Sequence, residues 1–411
     1  MLAPADAARL ILEHLRPLRP ARVPLREALD LVLARDVTSP LDLPPWDNSA
    51  MDGYACRAAD LAPGATLRVI ETVPAGAFPR KAVGAGQATR IFTGAPLPKG
   101  ADTVVRQEDT ALDGDGRVRV TDARDARKNI RRRGEDIRKA ETVLAAGTAL
   151  GPAQLGVLAS IAHGTPSVHR RPVVAFMGSG DEIADLDEKR AILSGRKIAS
   201  SNSYTLLTLI RRAGGVPLDL GIAKDTKASL RRHLRKAARA DLLVTTAGVS
   251  VGEHDLVRDV LAEMGCEMKL WRIRMRPGAP LGFGLLKRVP WIGLPGNPVS
   301  TMVTFELFVR PAIRRLLGHP LPYRRTVPVR LEEAVTLGPR LRHFLRAVVE
   351  PRGDGALGAR LTGPQGSGIL TSMARASALL IVPEDRPEVA AGEQLRALLL
   401  DDPHHVADPP F

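Results

Sequence analysis

The sequence predicts a multi-domain α/β plus β fold, built around a three-layer α/β domain with a mostly parallel sheet. Three observations predict it. The chain has 411 residues, more than one hydrophobic core usually organises, so roughly three domains are expected. From Arg171 onward, buried-type strands alternate with helical stretches, the pattern of βαβ units. On either side of that region the chain breaks into short β-type runs punctuated by glycine and proline.

Taken in order, Ala5–Leu15 is expected to be a short amphipathic helix and Pro24–Arg35 a second, its apolar Leu25, Ala28, Leu31 and Leu33 approximating helical spacing. Both read as connectors. After Pro40, the runs Leu67–Val73, Ala88–Phe92, Thr103–Arg106 and Val118–Thr121 describe a small β-rich domain. Pro152 suits the first turn of a helix closed by Gly164. The α/β pattern then follows: strand Val173–Met177, helix Tyr204–Arg212, strand Val216–Leu220, helix Lys227–Ala238, strand Asp241–Thr245 and helix Leu256–Met264. Strand candidates Met268–Arg274 and Trp291–Leu294 and a long helix Val299–Leu317 complete it. Last come Val327–Leu331, Phe344–Val349, Ala378–Val382 and Gln394–Leu399, a compact β-barrel or sandwich. The expected boundaries are a connector of residues 1–45 with 147–170, an inserted β domain 46–146, an α/β domain 171–325 and a C-terminal β domain 326–411.

Composition narrows the function classes. With 44% hydrophobic and 25% charged residues the chain can offset its conformational entropy by burial. No apolar run approaches membrane-spanning length and no signal core follows the N-terminus, so a cytoplasmic protein without membrane contact is expected. Cys56 and Cys266 are the sole cysteines, too few for a disulfide framework or a four-cysteine zinc site. Lys plus Arg exceed Asp plus Glu by 59 to 45, which would favour anionic partners, but in a chain rich in Ala, Arg, Gly and Pro the excess reads first as arginine on solvated faces. At 3% aromatic content there is little for bases to stack on, and no nucleic-acid partner is expected.

In open α/β sheets, ligands bind beyond the carboxyl ends of the strands, where loop amides and helix N-termini converge. Gly178-Ser179-Gly180-Asp181-Glu182 follows the first strand, its glycines admitting an anion to the backbone and its acids able to hold a hydrated cation. Lys224-Asp225 follows the second, with Asp225 placed to cap the next helix. The third leads into Thr246-Ala247-Gly248-Val249-Ser250-Val251-Gly252-Glu253-His254-Asp255. Glu182, Asp225 and Asp255 thus fall at one end of consecutive strands, the arrangement wanted for a Mg²⁺-bridged phosphate. Arg274 and Arg276 offer guanidinium groups for an oxyanion. Pro295-Gly296-Asn297-Pro298 stiffens the approach to the positive end of the long helix. His254 takes no assigned role.

These residues resemble the MoeA-type molybdopterin molybdenumtransferases, relatives of the gephyrin E domain. The most specific segment is Pro45-Trp46-Asp47-Asn48-Ser49-Ala50-Met51-Asp52-Gly53-Tyr54-Ala55. It is supported by Ile91-Phe92-Thr93-Gly94-Ala95-Pro96, Arg131-Arg132-Arg133-Gly134-Glu135-Asp136-Ile137, the Gly248–Gly252 run and Gly293–Ser300, in the family's order. The resemblance implies an elongated four-domain subunit with a molybdopterin-binding α/β domain and a C-terminal β-barrel. It implies a homodimer in which the α/β domain of one subunit faces the small β domain of the other. Family members take adenylylated molybdopterin and molybdate and, with Mg²⁺, release AMP as molybdenum enters the dithiolene. Matched by position, Glu182, Asp225 and Asp255 are the acidic residues that serve catalysis and the metal, and Asp52 and Thr93 come from the partner. Ser179, Gly180, Asp181, Gly248, Ser250, Gly252, Arg274, Arg276 and Pro295 to Pro298 are the residues expected to bind substrate, with Pro295 and Pro298 matching the family's turn. Transient contact with the molybdopterin adenylyltransferase and with downstream cofactor-maturation proteins is implied too.

The sequence departs from the family's pattern in three places. A lysine before the Pro-Gly pair is Arg276, and the lysine after it is Ala279. The usual Ser-Thr-Gly-Asp-Glu is Gly178-Ser179-Gly180-Asp181-Glu182, and the usual Ser-Gly-Gly is Thr246-Ala247-Gly248. These changes bear on the anion site rather than on the fold. The alternative they raise is a catalytically weakened paralogue that binds molybdopterin or acts as a scaffold.

Overall fold

The computed structural model describes residues 1–246, 256–338 and 340–400. The chain divides into two compact units, one made of Met1–Ala21, Asp30–Ala34 and the chain from Ser167 onward, the other of Arg22–Leu29 with Arg35–Pro166.

The second unit carries a six-stranded sheet in the order Thr103–Arg106, Gly53–Cys56, Gln87–Ile91, Thr66–Val73, Arg117–Val120, Thr110–Leu112. Its two faces are filled separately, one by Tyr54, Leu67, Val105 and Val118, the other by Ala55, Val73, Ile91 and Val104. That split follows from the alternation of side chains along each strand. The helix at Pro152–Ser160 begins on its proline as expected.

The helix expected over Pro24–Arg35 does not form. A single 3₁₀ turn, Leu25–Glu27, is followed by Asp30 at φ 64°. A left-handed residue there ends any right-handed helix. Val32 and Leu33 instead pair antiparallel with His169 and Val168. The N-terminal helix, Pro4–Glu13, is present and buries Ala7 and Ile11.

In the first unit, four parallel strands lie in the order Val216–Ala223, Val173–Ser179, Leu242–Thr246, Val289–Leu294, followed by antiparallel Gly282–Leu286 and Cys266–Trp271. The strand at Gly282–Leu286 has no counterpart in the sequence expectation, and it makes that end of the sheet antiparallel. The parallel strands are apolar on both faces because helices cover both. Ala175, Met177, Leu230, Leu234, Val260, Leu261 and Trp291 form one such core. The long helix runs from Pro298 to Leu316 with a π turn at Phe305–Val309. Pro311 lacks the N–H that would bond back one turn, which accounts for the widened turn just before it.

Five strands close the C-terminal barrel. Arg342–Pro351 pairs with Leu357–Leu361, which lies parallel to Thr326–Leu331; Gln394–Leu399 and Ala378–Val382 follow, and the last returns to Arg342–Pro351. Val329, Leu345, Ala347, Leu380 and Ala397 fill the inside. Closure removes the exposed edges that an open sheet of this size would present.

Candidate active site at the strand ends

The register of the parallel sheet sets the site. Ser179 lies beside Ala223, Gly178 beside Thr246, and Thr246 beside Leu294. Four strands therefore end at one level, and their loops emerge together. A cavity of 680 Å³ opens there, lined by Gly178, Ser179, Glu182, Thr246, Pro280, Pro295, Gly296, Asn297 and Pro298, with Ser200, Ser201 and Asn202 from the start of the helix Ser201–Arg212 and Gly368 and Leu370 from the C-terminal β domain.

Gly180 makes the first loop possible. At φ 141° it holds a backbone that side chains rarely adopt, and a Cβ there would stand 2.8 Å from the Glu182 carboxylate. The loop turns back on itself and brings Glu182 to the cavity wall. The Ile198 N–H donates to the Glu182 carbonyl at 2.8 Å, and Lys197 Nζ donates to the Asp181 carbonyl.

Asp181 and Asp225 meet across the two strand ends. Asp181 N–H donates to Asp225 Oδ2 and Asp225 N–H to Asp181 Oδ1, both at 3.3 Å. This reciprocal arrangement uses Asp225 differently from the helix cap expected of it. Thr226 caps the following helix, its side chain accepting from Ser229 N–H at 3.3 Å.

The turn into the long helix is clamped on several sides. Thr301 Oγ1 donates to the Pro295 carbonyl at 2.6 Å and Asn202 Nδ2 to the Gly296 carbonyl at 2.7 Å. Asn297 Nδ2 donates to Ser367 Oγ at 3.0 Å. The helices starting at Ser201 and Pro298 both present their N-termini to the cavity, and their dipoles favour an anionic ligand.

Sequence reasoning missed two walls. Ser200, Ser201 and Asn202 gave a faint signal, a polar run opening a helix. Gly366-Ser367-Gly368 gave none, because it belongs to a different β domain. That segment is tied down by Arg346, a fully buried arginine whose Nη2 donates to the Gly366 carbonyl at 3.1 Å and Nε to Ser372 Oγ at 3.1 Å.

Arg274 and Arg276 are exposed and are not among the cavity's lining residues. Met275–Arg276 pairs as a short parallel strand with Arg342–His343 of the barrel. Gly248, Ser250, Gly252 and Asp255, with Ala247 and His254, lie outside the described residues.

Asp52 and Thr93 belong to the other unit and meet there. Asp52 Oδ1 accepts from both the Thr93 N–H and the Thr93 hydroxyl, each at 2.8 Å. These two bonds, backbone first, hold the Asp52 carboxyl below its ordinary range, and the Arg90 charge adds to them. Arg90 lies over the rings of Tyr54 and Phe92, 5.0 and 4.9 Å from their centroids. Burial pushes the Cys56 thiol up to about 12 and the Cys266 thiol to about 11, so neither supplies a thiolate at neutral pH.

Among the described residues, no three His, Cys, Asp or Glu side chains form a metal-binding group. The carboxylates that do gather at the strand ends are hard oxygen donors, the type that Mg²⁺ takes. The glycine at position 180 leaves the Glu182 carboxylate the space a Cβ would fill.

No helix of the described residues is long and apolar enough to cross a membrane. Family models match the chain in three blocks: the MoeA N-terminal region (domain I and II) over residues 2–162, a probable molybdopterin binding domain over 175–315, and the MoeA C-terminal region (domain IV) over 328–400. The molybdopterin molybdenumtransferase of Haemophilus influenzae is 34% identical over 400 residues, covering 96% of this chain and 97% of that one. The molybdopterin molybdenumtransferase 2 of Mycobacterium tuberculosis is 38% identical over 400 residues, covering 94% and 97%. The moeA protein of Pyrococcus horikoshii OT3 superposes with a TM-score of 0.83 at 29% identity, over 97% of this chain and 100% of that one. With these identities spanning nearly its full length, the chain belongs to the MoeA family of molybdopterin molybdenumtransferases.

Proposed function

We propose that the protein transfers molybdenum from molybdate to adenylylated molybdopterin, with release of AMP, and that the 680 Å³ cavity at the strand ends receives the pterin. One observation carries the reading: Ser179, Glu182 and the Pro295–Pro298 turn, distant in sequence, line that single cavity at the carboxyl edge of a parallel sheet. As a molybdopterin molybdenumtransferase the chain is a transferase of molybdenum cofactor biosynthesis. Its substrate is polar and anionic, which suits two helix N-termini and a lining of glycines and hydroxyls.

Mg²⁺ would be held by Glu182, Asp225 and Asp255, where it supplies neutralisation of phosphate charge. The chain's own groups do the rest. Loop amides after Ser179 and the clamped turn orient the phosphate end, while Asp52, ionised and fixed by Thr93, is the group that positions the oxygen or molybdate facing it. The protein works in this reading as a cytoplasmic homodimer, the Asp52 and Thr93 of one subunit completing the cavity of the other. It receives substrate through transient contact with the molybdopterin adenylyltransferase. The four-domain division at residues 45, 146, 170 and 325 belongs to the same proposal.

The test mixes purified protein with adenylylated molybdopterin, molybdate and Mg²⁺ and follows AMP together with metal-loaded pterin. The expected result is stoichiometric appearance of both. AMP and loaded pterin no greater than in an enzyme-free control would reject the assignment.

A further inference from the structure

Asparagine at a helix N-cap ordinarily folds its side-chain oxygen over the first-turn amides. Asn297 stands at that position of the long helix and makes no capping bond. Its carboxamide is taken instead by the barrel, Nδ2 donating to Ser367 Oγ at 3.0 Å. Ser367 also supplies what the cap leaves out, because its backbone carbonyl accepts the Val299 N–H at 3.1 Å. The segment bearing Ser367 is rigid from behind, where Arg346 holds the Gly366 carbonyl, and Gly368 next to it lines the cavity.

We propose that Ser367, from the C-terminal barrel, is a positioning residue for the Pro295–Pro298 turn and so for the substrate bound against it. The inference rests on the function proposed above. Among the described residues, side chains from two directions clamp the turn. Thr301 and Asn202 hold the Pro295 and Gly296 carbonyls from within the α/β domain, Thr301 Oγ1 also reaches the Asn297 carbonyl at 3.1 Å, and Ser367 holds the Asn297 carboxamide from outside it. By holding the carboxamide and accepting the Val299 N–H, Ser367 takes over the cap's place and ties the turn to the barrel. The barrel thereby sets a wall of a cavity whose other features come from the sheet.

The two roles of Asn297 compete, which gives the test its sign. In Ser367→Ala the backbone carbonyl of residue 367 keeps the Val299 N–H and the freed carboxamide can turn to cap the Ser300 N–H, so the melting temperature stays level or rises. Meanwhile the KM for adenylylated molybdopterin rises by roughly threefold to tenfold, the loss expected for one hydrogen bond, with kcat changed by less than about twofold. Ser367→Thr keeps the hydroxyl and restores a KM near that of the unmodified protein. An unchanged KM in Ser367→Ala overturns the proposal. So does a rise in KM that Ser367→Thr fails to reverse while both variants melt lower, since that pattern marks a purely structural role. If the unmodified protein turns over no pterin, the functional reading fails separately, and ¹⁵N-asparagine labelling still tests the clamp of the turn by Ser367. Loss of exchange protection at the Asn297 carboxamide in Ser367→Ala supports it, and unchanged protection overturns it.

Discussion

Asp52 is exposed, yet its carboxylate is fixed by two bonds from a single residue, the Thr93 amide and hydroxyl. Fixing an ionised acid in this way keeps it charged to lower pH than a free aspartate. The folded-state value is depressed, so any contribution of the charged form is present in full above the ordinary aspartate range. It is lost as pH falls through the lowered value. Thr93→Val removes the hydroxyl bond and leaves the amide bond. The Asp52 midpoint in a carboxyl-carbon NMR titration should move up toward the ordinary range, and the acid limb of turnover should move with it. A midpoint equal to that of the unmodified protein would show that the hydroxyl does not matter. Family resemblance marked both residues but not their pairing, since the partners stand 41 positions apart and neither type is unusual in a loop.

At the scale of elements, the packing of the long helix depends on Gly278. This residue sits at φ 102°, and an added Cβ would come within 2.5 Å of Thr304 Cγ2. Thr304 cannot easily turn away, because its hydroxyl donates to the Ser300 carbonyl at 2.7 Å inside the helix. Gly278→Ala should therefore cost about 1–3 kcal/mol of stability from overpacking, with further strain from the left-handed backbone. Thermal or urea unfolding measures it, and a variant as stable as its parent would contradict the packing argument. Elements were readable where one physical signal dominated. Val173–Ser179 and Leu242–Thr246 are buried on both faces and show as apolar runs. Gly282–Leu286 was not readable, because glycines at 282 and 284 argue against a strand. They are there since a Cβ at 282 would stand 2.4 Å from the Trp291 ring and one at 284 would stand 2.9 Å from Cys266 Sγ. The false helix at Pro24–Arg35 had the opposite cause, apolar spacing that fits a helix but a chain reversed at Asp30. Ser367 and Gly368 escaped notice because contact between distant segments leaves no mark on local pattern.

For the whole molecule, the formal charge of +14 is a weaker guide than the placement of a few groups. Arginines usually sit solvated, and Arg274 and Arg276 are exposed. The question that decides how the molecule works is whether its acids act within one chain or across two. Asp52 with Thr93 and Glu182 with Asp225 lie on separate compact units, and the proposed homodimer completes each cavity with a partner's Asp52. Closed twofold symmetry then gives two equivalent sites per dimer. Consider Asp52→Asn and Glu182→Gln, each inactive alone. In a mixed dimer, one site combines both substitutions and the other combines neither. If the two variants are unfolded or dissociated, mixed in equal amounts and reassembled, half the dimers are mixed and each carries one intact site. Turnover should recover to about a quarter of the unmodified level, the value set by random twofold pairing. Acids acting within one chain predict no recovery, because every chain in the mixture carries a substitution. Size-exclusion chromatography before the assay confirms that dimers have formed, and turnover that stays at the background of the separate variants would refute the shared site.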